Sequence, residues 1–293
     1  MICIVCGNGV PLQSAIQFRK DGFEIARCCS CGLLFRTELP TEEELLQIYD
    51  DSYFCSAADD TSGQGYYDYI GGSELHRQTA RRRLERLERV EEPGRLLDVG
   101  AAAGFFLAEA VDRGWEARGI DIAAEMVQWG RERLGVALEH QTLATLEAEP
   151  GNFDAVTMWD YIEHALDPRG DLTRAWKLLR PQGVLMLSTG DAASLAARVS
   201  ATHWHLLTPR HHNYFFTAAS LRRLLRGLGF EVVYEGHPGS RYSVGYMAHK
   251  LRTMIDVAPV RQAVDVVSRT RLGRLQVPVN LGDIVTVIAR RPA

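Results

Sequence analysis

Over the last two thirds of the chain, the spacing of hydrophobic and polar positions predicts strands that alternate with helices. Residues 95–100 form an apolar run that ends in a tight turn, and helical spacing follows over residues 105–113. The same analysis predicts strands over 115–122, 136–140, 153–160, 184–188, 230–235 and 284–289, with helices over 123–134, 171–180 and 217–228. Strands alternating with helices of this length predict an α/β fold with a parallel, doubly wound sheet and helices on both faces.

The residues before this region have a different character. Thr41 and Glu44 form a capping-box pattern that predicts a helix, and residues 74–92 form a second helix with an apolar stripe at Ala80, Leu84 and Leu87. Between the two helices, residues 55–65 are small and polar, which predicts a mobile lid. The tyrosines that follow, Tyr66, Tyr67 and Tyr69, are expected to form one wall of a pocket.

Residues 240–281 interrupt the alternation of strands and helices. Their apolar positions recur at helical spacing, so we expect a helical insertion before the last strand. Such a stripe packs on its own domain, binds a partner or lies on a membrane, and the pattern alone leaves these three roles open.

Charge and composition exclude some classes of protein. The 293 residues carry a formal net charge of -4, so there is no overall basic excess of the kind that favours general nucleic-acid binding. No apolar run approaches the roughly 20 residues that span a bilayer. The first residues also lack the charged-then-apolar layout of a signal peptide. We therefore expect a cytoplasmic protein.

Five of the six cysteines lie within the first 31 residues. Cys3 and Cys6 form one Cys-x-x-Cys pair and Cys28 and Cys31 form another, and each pair is followed by glycine. Two such pairs supply the four tetrahedral ligands of a structural zinc ion, and the region resembles a zinc ribbon. Cys29 has the wrong spacing, so it and Cys55 are predicted to be free thiols.

The segment from Asp98 to Gly104 carries the clearest sign of ligand binding. A buried strand enters a turn of small residues, and the turn opens onto a helix N-terminus that favours a carboxylate. Asp121 ends the next strand, where an acidic side chain can accept hydrogen bonds from ribose hydroxyls. The dinucleotide-binding pattern expects three glycines, whereas this chain has Asp98, Gly100, Ala102 and Gly104 at alternate positions. Alanine at the third of these positions implies that Ala102 keeps a negative φ.

The Asp98–Gly104 segment resembles the first signature of the class I S-adenosylmethionine-dependent methyltransferases. Residues 153–160 and 178–185 resemble later motifs of that family, and the resemblance covers about residues 95–291. It implies a Rossmann-like seven-stranded sheet and S-adenosylmethionine as cofactor. The residues implied to hold the cofactor are Gly100, Ala102 and Gly104 at the methionine part, Asp98 at its amino group, Asp121 at the ribose, Ile122, Thr142 and Leu143 at the adenine, and Asp160 and Tyr69 beside them.

Polar residues beyond the strand ends are candidates for catalysis. Glu163 and His164 follow the fourth strand, and His211 follows the fifth, so all three belong to the sheet edge where ligands bind. We predict His164 as the general base, oriented by a neighbouring carboxylate, with His211 as second choice. The alternative is that these residues only shape the pocket.

The predicted organisation is a zinc ribbon over residues 1–40, a helical and aromatic lid segment over 41–92, and a methyltransferase domain over 93–293. The chain resembles zinc-ribbon methyltransferases that modify sugars and other small molecules, which implies a hydroxylated small-molecule acceptor such as a sugar, a polyketide or another secondary metabolite. One alternative is a ribosomal RNA methyltransferase that uses the ribbon as reader, although nucleic acid is the less favoured partner. Another is a non-catalytic scaffold that binds a partner through residues 240–281. The oligomeric state stays open.

Overall fold

The computed structural model of the protein describes residues 2–11, 15–48, 69–244, 270 and 275–293. Its strands are β1 (Ile16–Lys20), β2 (Phe23–Arg27), β3 (Leu34–Arg36), β4 (Arg95–Val99), β5 (Glu116–Asp121), β6 (Ala137–His140), β7 (Phe153–Trp159), β8 (Leu179–Gly190), β9 (Tyr214–Phe215), β10 (Glu231–Gly236), β11 (Ser240–Ser243), β12 (Gln276–Val279) and β13 (Ile284–Arg290). Its helices are α1 (Glu42–Ile48), α2 (Ser73–Leu87), α3 (Phe105–Asp112), α4 (Ala124–Leu134), α5 (Pro168–Leu178), α6 (Leu195–Ser200) and α7 (Ala218–Gly227).

Seven strands form the main sheet in the order β10-β13-β8-β7-β4-β5-β6. This arrangement confirms the predicted Rossmann-like sheet. One detail of the prediction was wrong, because β13 is antiparallel to both of its neighbours, β8 and β10. No crossover helix lies between β10 and β13 in the described residues, and the chain returns through β11 and β12, which pair with each other antiparallel. A return of this kind reverses the strand direction, whereas a helical crossover preserves it.

Side chains along the central strands alternate between two cores, one on each face of the sheet. Leu96, Ala155 and Met186 contribute to the core that also contains the buried stripe of α2 and residues of α3 and α4. Leu97 and Val156 point to the opposite core, which contains residues of α5 and α7. Helices on both faces are therefore confirmed, and the turn after β4 follows a strand that is buried on both sides.

The N-terminal module is joined to the main domain by a second sheet. Strands β1, β2 and β3 form an antiparallel meander, and β9 extends it as a fourth strand. Leu34 pairs with Phe215 and Phe35 pairs with Tyr214. Buried residues of the ribbon, Phe35 among them, belong to the same core as α5 and α7. The ribbon consequently packs as part of the domain that carries the strand ends.

Several boundaries differ from the sequence prediction. Helix α5 begins at Pro168, where Asp167 caps it by accepting from the amide of Gly170, and it ends at Leu178 rather than at residue 180. The predicted helical insertion over 240–281 is wrong at its two ends, where the structure has the strands β11 and β12. The capping box of α1 is confirmed by hydrogen bonds between Thr41 and Glu44 in both directions.

Some predictions fall outside the described residues. These are the lid over 55–65, the thiol of Cys55, Tyr66 and Tyr67, and the helical spacing within residues 245–269. Among the helices that the structure describes, none has the length and apolar character needed to cross a membrane.

Candidate active site

The turn after β4 is built around two glycines with positive φ, Gly100 at 73° and Gly104 at 78°. The amides of Gly100 and Ala101 donate to the carbonyl oxygen of Ile120 at 2.9 and 3.1 Å, which fixes the turn to β5. Gly104 caps the N-terminus of α3, and a Cβ added there would lie 2.8 Å from Cγ2 of Val136. No side chain caps the N-terminus of α3, so its first amides are the kind of donors that can bind a carboxylate.

Ala102 adopts a left-handed conformation, with φ at 47°. The expectation of a negative φ at this position was wrong. A left-handed backbone costs an L-residue roughly 1–2 kcal/mol, so a local interaction has to offset it. The amide of Ala102 donates to Oδ2 of Asp121 at 2.7 Å, and this bond to a carboxylate is that interaction.

Two carboxyl groups flank the turn. Asp98 is buried and accepts a hydrogen bond from Oγ1 of Thr157 at 2.6 Å, and burial raises its pKa to about 7. Asp121 accepts from Ala102 and, through Oδ1, from the amide of Ala123 at 2.8 Å. Burial raises the pKa of Asp121, while these backbone amides oppose the increase. The turn thus combines amide donors with two acidic acceptors.

The residues predicted to meet an adenine ring occupy different environments. Ile122 follows β5 and is half-buried, with its carbonyl oxygen 3.0 Å from Nε2 of His140. Thr142 is exposed in the loop after β6 and shares hydrogen bonds with Thr145. The side chain of Leu143 is buried in the core, so only its backbone can contribute to the surface of a binding site.

Asp160, directly after β7, is held by an arginine from the preceding segment. Nη2 of Arg83 donates to Oδ2 of Asp160 at 2.9 Å, and Oγ of Ser188 donates to Oδ1 at 2.8 Å. The Arg83 guanidinium also lies over the ring of Trp159 at 4.2 Å. Sequence reasoning missed Arg83 because only the apolar stripe of α2 was used to interpret that helix. Its position three residues after Ala80, in the buried stripe, was the available signal.

An aromatic cluster lies next to the glycine turn. The ring of Tyr69 is 4.2 Å from that of His76 and 5.7 Å from that of Phe105, the first residue of α3. His76 stacks on Phe105 with 4° between the ring planes. Burial lowers the pKa of His76 to about 4, with Arg83 contributing in the same direction. This places Tyr69 beside the start of α3, as a pocket wall requires.

Glu163 and His164 meet a third polar side chain, His212, beyond the ends of β7 and β8. Nδ1 of His164 lies 3.0 Å from the carbonyl oxygen of His211, to which it donates, and the rings of His164 and His212 meet edge-on at 4.6 Å. Burial raises the pKa of Glu163 to about 8, with Asp160 adding to the increase. Burial lowers the pKa of His164 to about 4. Both shifts favour the neutral form, so Glu163 and His164 carry little charge in this cluster.

His211, the second candidate base, contributes its backbone to this cluster. Its carbonyl oxygen orients the ring of His164, whereas a carboxylate had been expected in that role. The adjacent ring belongs to His212, which sequence reasoning did not select because two consecutive histidines in a loop cannot be told apart by spacing. Asn213 closes the arrangement, since its amide donates to the carbonyl oxygen of Glu163 and its side chain donates to that of His164, both at 2.8 Å.

The four predicted zinc ligands come together in the N-terminal module. The sulfur atoms of Cys3, Cys6, Cys28 and Cys31 all lie within 4.8 Å of one another. Sγ of Cys3 is 3.5 Å from that of Cys31, and Sγ of Cys6 is 3.6 Å from that of Cys28, close to the roughly 3.8 Å between sulfurs of a tetrahedral zinc site. Cys29 is exposed and is not part of this cluster.

Backbone amides favour a thiolate at Cys28. Burial raises the pKa of Cys28, but the amides of Cys31 and Ser30, together with the thiols of Cys31 and Cys6, outweigh burial and bring it to about 7. The sulfur geometry and these amides fit a zinc ion. The turn at Gly100 fits a nucleoside cofactor, because a Cβ at Gly100 would lie 2.8 Å from Cδ2 of Tyr161, so the position needs glycine, and the carboxyl groups of Asp98 and Asp121 lie beside the turn.

Residues 72–235 match the family model described as a methyltransferase domain. The chain belongs to this methyltransferase family. The matched range contains the glycine turn, Asp121, Asp160 and the Glu163–His164 pair. The methyltransferase is therefore an S-adenosylmethionine-dependent enzyme with the class I fold.

Relatives of known sequence agree with this assignment. The methyltransferase is 33% identical over 181 residues to a ubiquinone biosynthesis O-methyltransferase of Xanthomonas euvesicatoria, covering 54% of this chain and 76% of that protein. It is 32% identical over 195 residues to the protein of the same name from Xanthomonas axonopodis, covering 58% and 82% respectively.

Solved structures share its fold. An S-adenosylmethionine-dependent methyltransferase of Thermotoga maritima matches 76% of this chain and 94% of its own, with 19% identity and a TM-score of 0.50. A chain of the Haloferax volcanii complex between the Trm112 methyltransferase activator and a methyltransferase matches 87% of this chain and 100% of its own, with 18% identity and a TM-score of 0.55.

Proposed function

We propose that the methyltransferase transfers a methyl group from S-adenosylmethionine to a hydroxyl group of a small molecule. The observation that carries the proposal is the position of the Glu163–His164–His212 cluster, which follows β7 and β8 at the sheet edge where the glycine turn follows β4. Both relatives described above are named O-methyltransferases. A hydroxyl acceptor needs help in losing its proton, and a polar cluster at this edge suits that need.

The cofactor supplies an electrophilic methyl group on a sulfonium. In this proposal the turn from Gly100 to Gly104 admits its methionine part, and the first amides of α3 bind the carboxylate. Asp98 faces the amino group, Asp121 the ribose hydroxyls and Ile122 the adenine, with the loop at Thr142 and Leu143 at its edge. Asp160 and Tyr69 complete the pocket. Alignment of the acceptor with the methyl group then supplies most of the rate.

His164 is the imidazole that we propose as proton acceptor. Because Nδ1 donates to the carbonyl oxygen of His211, Nε2 is the unprotonated ring nitrogen. Glu163 lies beside it in the same cluster. The side chain of Asn213 holds the loop through the carbonyl oxygen of His164, so the ring is carried on a fixed backbone.

We also propose that the Cys3–Cys6–Cys28–Cys31 cluster binds a structural zinc ion. Four cysteines leave no open coordination position, so the ion stabilises the ribbon and takes no part in methyl transfer. Arg169 connects the first cysteine turn to α5, because its guanidinium donates to the carbonyl oxygens of Ile4 and Val5 at 2.7 and 3.2 Å.

A methyl-transfer assay with S-adenosylmethionine carrying a deuterated methyl group tests the proposed reaction. The enzyme is incubated with matched panels of phenols, catechols and sugars, their amino analogues, and ribosomal RNA, and products are measured by mass spectrometry. The proposal expects the label on an oxygen of a hydroxylated compound. Label that appears only on nitrogen or only in RNA would contradict it.

A further inference from the structure

A second group of side chains that can bind a metal ion lies far from the cysteines in sequence. Glu163, His164 and His212 each offer one ligand atom, and these atoms lie within 4.8 Å of one another. An ion with bonds of about 2.0–2.2 Å to nitrogen and oxygen fits between atoms at this separation. Two imidazoles and one carboxylate form the set that leaves one side of a metal ion open.

Both histidines are already oriented as metal ligands usually are. Nδ1 of His164 donates to the carbonyl oxygen of His211 at 3.0 Å, and Nδ1 of His212 donates to that of Leu206 at 2.9 Å. With the proton on Nδ1, each ring presents Nε2 as a lone-pair donor. Hydrogen bonds of this kind fix the tautomer of most metal-bound histidines.

Glu163 supplies an independent observation. Its side chain is buried at 5% exposure, and its Oε2 has no hydrogen-bond partner among the residues that the structure describes. A buried carboxylate oxygen without a partner costs stability unless a cation or a proton satisfies it. The backbone on which it sits is fixed, because the amides of Asn213 and Tyr214 both donate to the carbonyl oxygen of Glu163.

We infer that Glu163, His164 and His212 bind one divalent metal ion. The ligand set suits a borderline ion such as Zn²⁺, Fe²⁺, Co²⁺ or Mn²⁺ better than Mg²⁺, which prefers oxygen ligands and water. The ion neutralises the buried carboxylate, and it takes the lone pair of His164 that would otherwise receive a proton.

The role of the ion rests on the proposed function. An acceptor hydroxyl that occupies an open position of the ion has a lowered pKa and loses its proton to solvent. Its oxygen lone pair then forms the O–CH3 bond while the S–CH3 bond breaks, and that electron pair stays on sulfur. This assignment replaces proton transfer to His164, and the binding experiment below decides between the two roles.

Cobalt titration measures the site without any acceptor. Protein that retains its cysteine-bound metal is titrated with Co²⁺ and followed by absorbance. Cobalt in the cysteine cluster gives intense thiolate charge-transfer bands, whereas cobalt on nitrogen and oxygen gives only weak d–d bands. We expect one saturable equivalent with d–d bands alone. No such equivalent in the wild-type protein would overturn the inference, whatever the variants do.

Variants identify the ligands. Glu163→Gln and His212→Gln should each weaken Co²⁺ binding at least ~10-fold, while His203→Gln, an exposed histidine outside the cluster, should leave it unchanged. Affinity for S-adenosylmethionine reports whether each variant is folded. Folded variants that bind Co²⁺ like the wild type would place the ion elsewhere and overturn the inference.

The two proposals fail separately. If the cluster binds cobalt but the enzyme methylates no hydroxyl group, the proposed acceptor is wrong and the metal site stands. If the protein methylates a hydroxyl group but binds no cobalt outside the cysteines, the metal site is wrong and the proposed acceptor stands.

Discussion

Arg36 of the ribbon and Asn213 of the loop before β9 are joined by two hydrogen bonds. The amide of Arg36 donates to the carbonyl oxygen of Asn213 at 2.9 Å, and Nη1 of Arg36 donates to its Oδ1 at 3.3 Å. The same Asn213 donates to the carbonyl oxygens of Glu163 and His164. One buried side chain thus connects the cysteine module to the loop that carries Glu163 and His164.

Asn213→Ala should destabilise the protein by ~1–3 kcal/mol, because it leaves buried backbone and guanidinium groups without their partner. It should also change the chemical shifts of the His164 and His212 rings, while affinity for S-adenosylmethionine changes little. Denaturant unfolding and histidine NMR measure the two effects. Asn8→Ala is the matched control, since Asn8 makes an exposed side-chain bond to Ser30 and should cost less than ~0.5 kcal/mol. Unchanged ring signals in Asn213→Ala would remove the proposed connection.

Purified protein should contain one tightly held zinc ion at the cysteine cluster, beyond any metal at the histidines. Cys3→Ser or Cys31→Ser should lose it and lower the melting temperature, because the buried ribbon residues share a core with α5 and α7. Cys29→Ser, which changes an exposed thiol outside the cluster, should keep both the zinc ion and the wild-type melting temperature. Metal content by mass spectrometry and thermal unfolding give the comparison. Equal stability of zinc-free and zinc-bound protein would refute a structural role.

Ala102→Gly should leave stability unchanged or raise it by up to ~1 kcal/mol, because glycine adopts a φ of 47° without strain and this gain exceeds or matches its entropic cost. Ala101→Gly, at a neighbouring buried position without positive φ, should instead lose ~0.5–1 kcal/mol. Chemical denaturation of the two variants measures the difference in sign. A loss at Ala102 as large as that at Ala101 would mean that the left-handed conformation carries no strain.

Local patterns predicted the fold and much of the site. The spacing of the cysteines predicted which four sulfur atoms come together, and the Asp98–Gly104 turn with Asp121 predicted the sheet edge of the candidate site. These features depend on residues close together in sequence, whose geometry follows from strand and helix periods.

Contacts between distant segments were missed. Strand β9 joins the ribbon sheet across about 180 residues of sequence, and Arg83 reaches Asp160 from a different region. The choice of His212 over His211 depends on loop geometry, which the pattern of side chains does not encode. The direction of β13 depends on the connection through β11 and β12, and helical spacing suggested a crossover there.

The binding of S-adenosylmethionine, measured by calorimetry for the wild-type protein and for Asp121→Ala, tests the central claim most directly. The account predicts one cofactor per wild-type chain. It predicts that Asp121→Ala weakens binding by ~1.5–3 kcal/mol, because the variant loses the ribose acceptor and the carboxylate that holds the amides of Ala102 and Ala123. Wild-type protein that does not bind S-adenosylmethionine, or Asp121→Ala that binds it with unchanged affinity, would contradict the account.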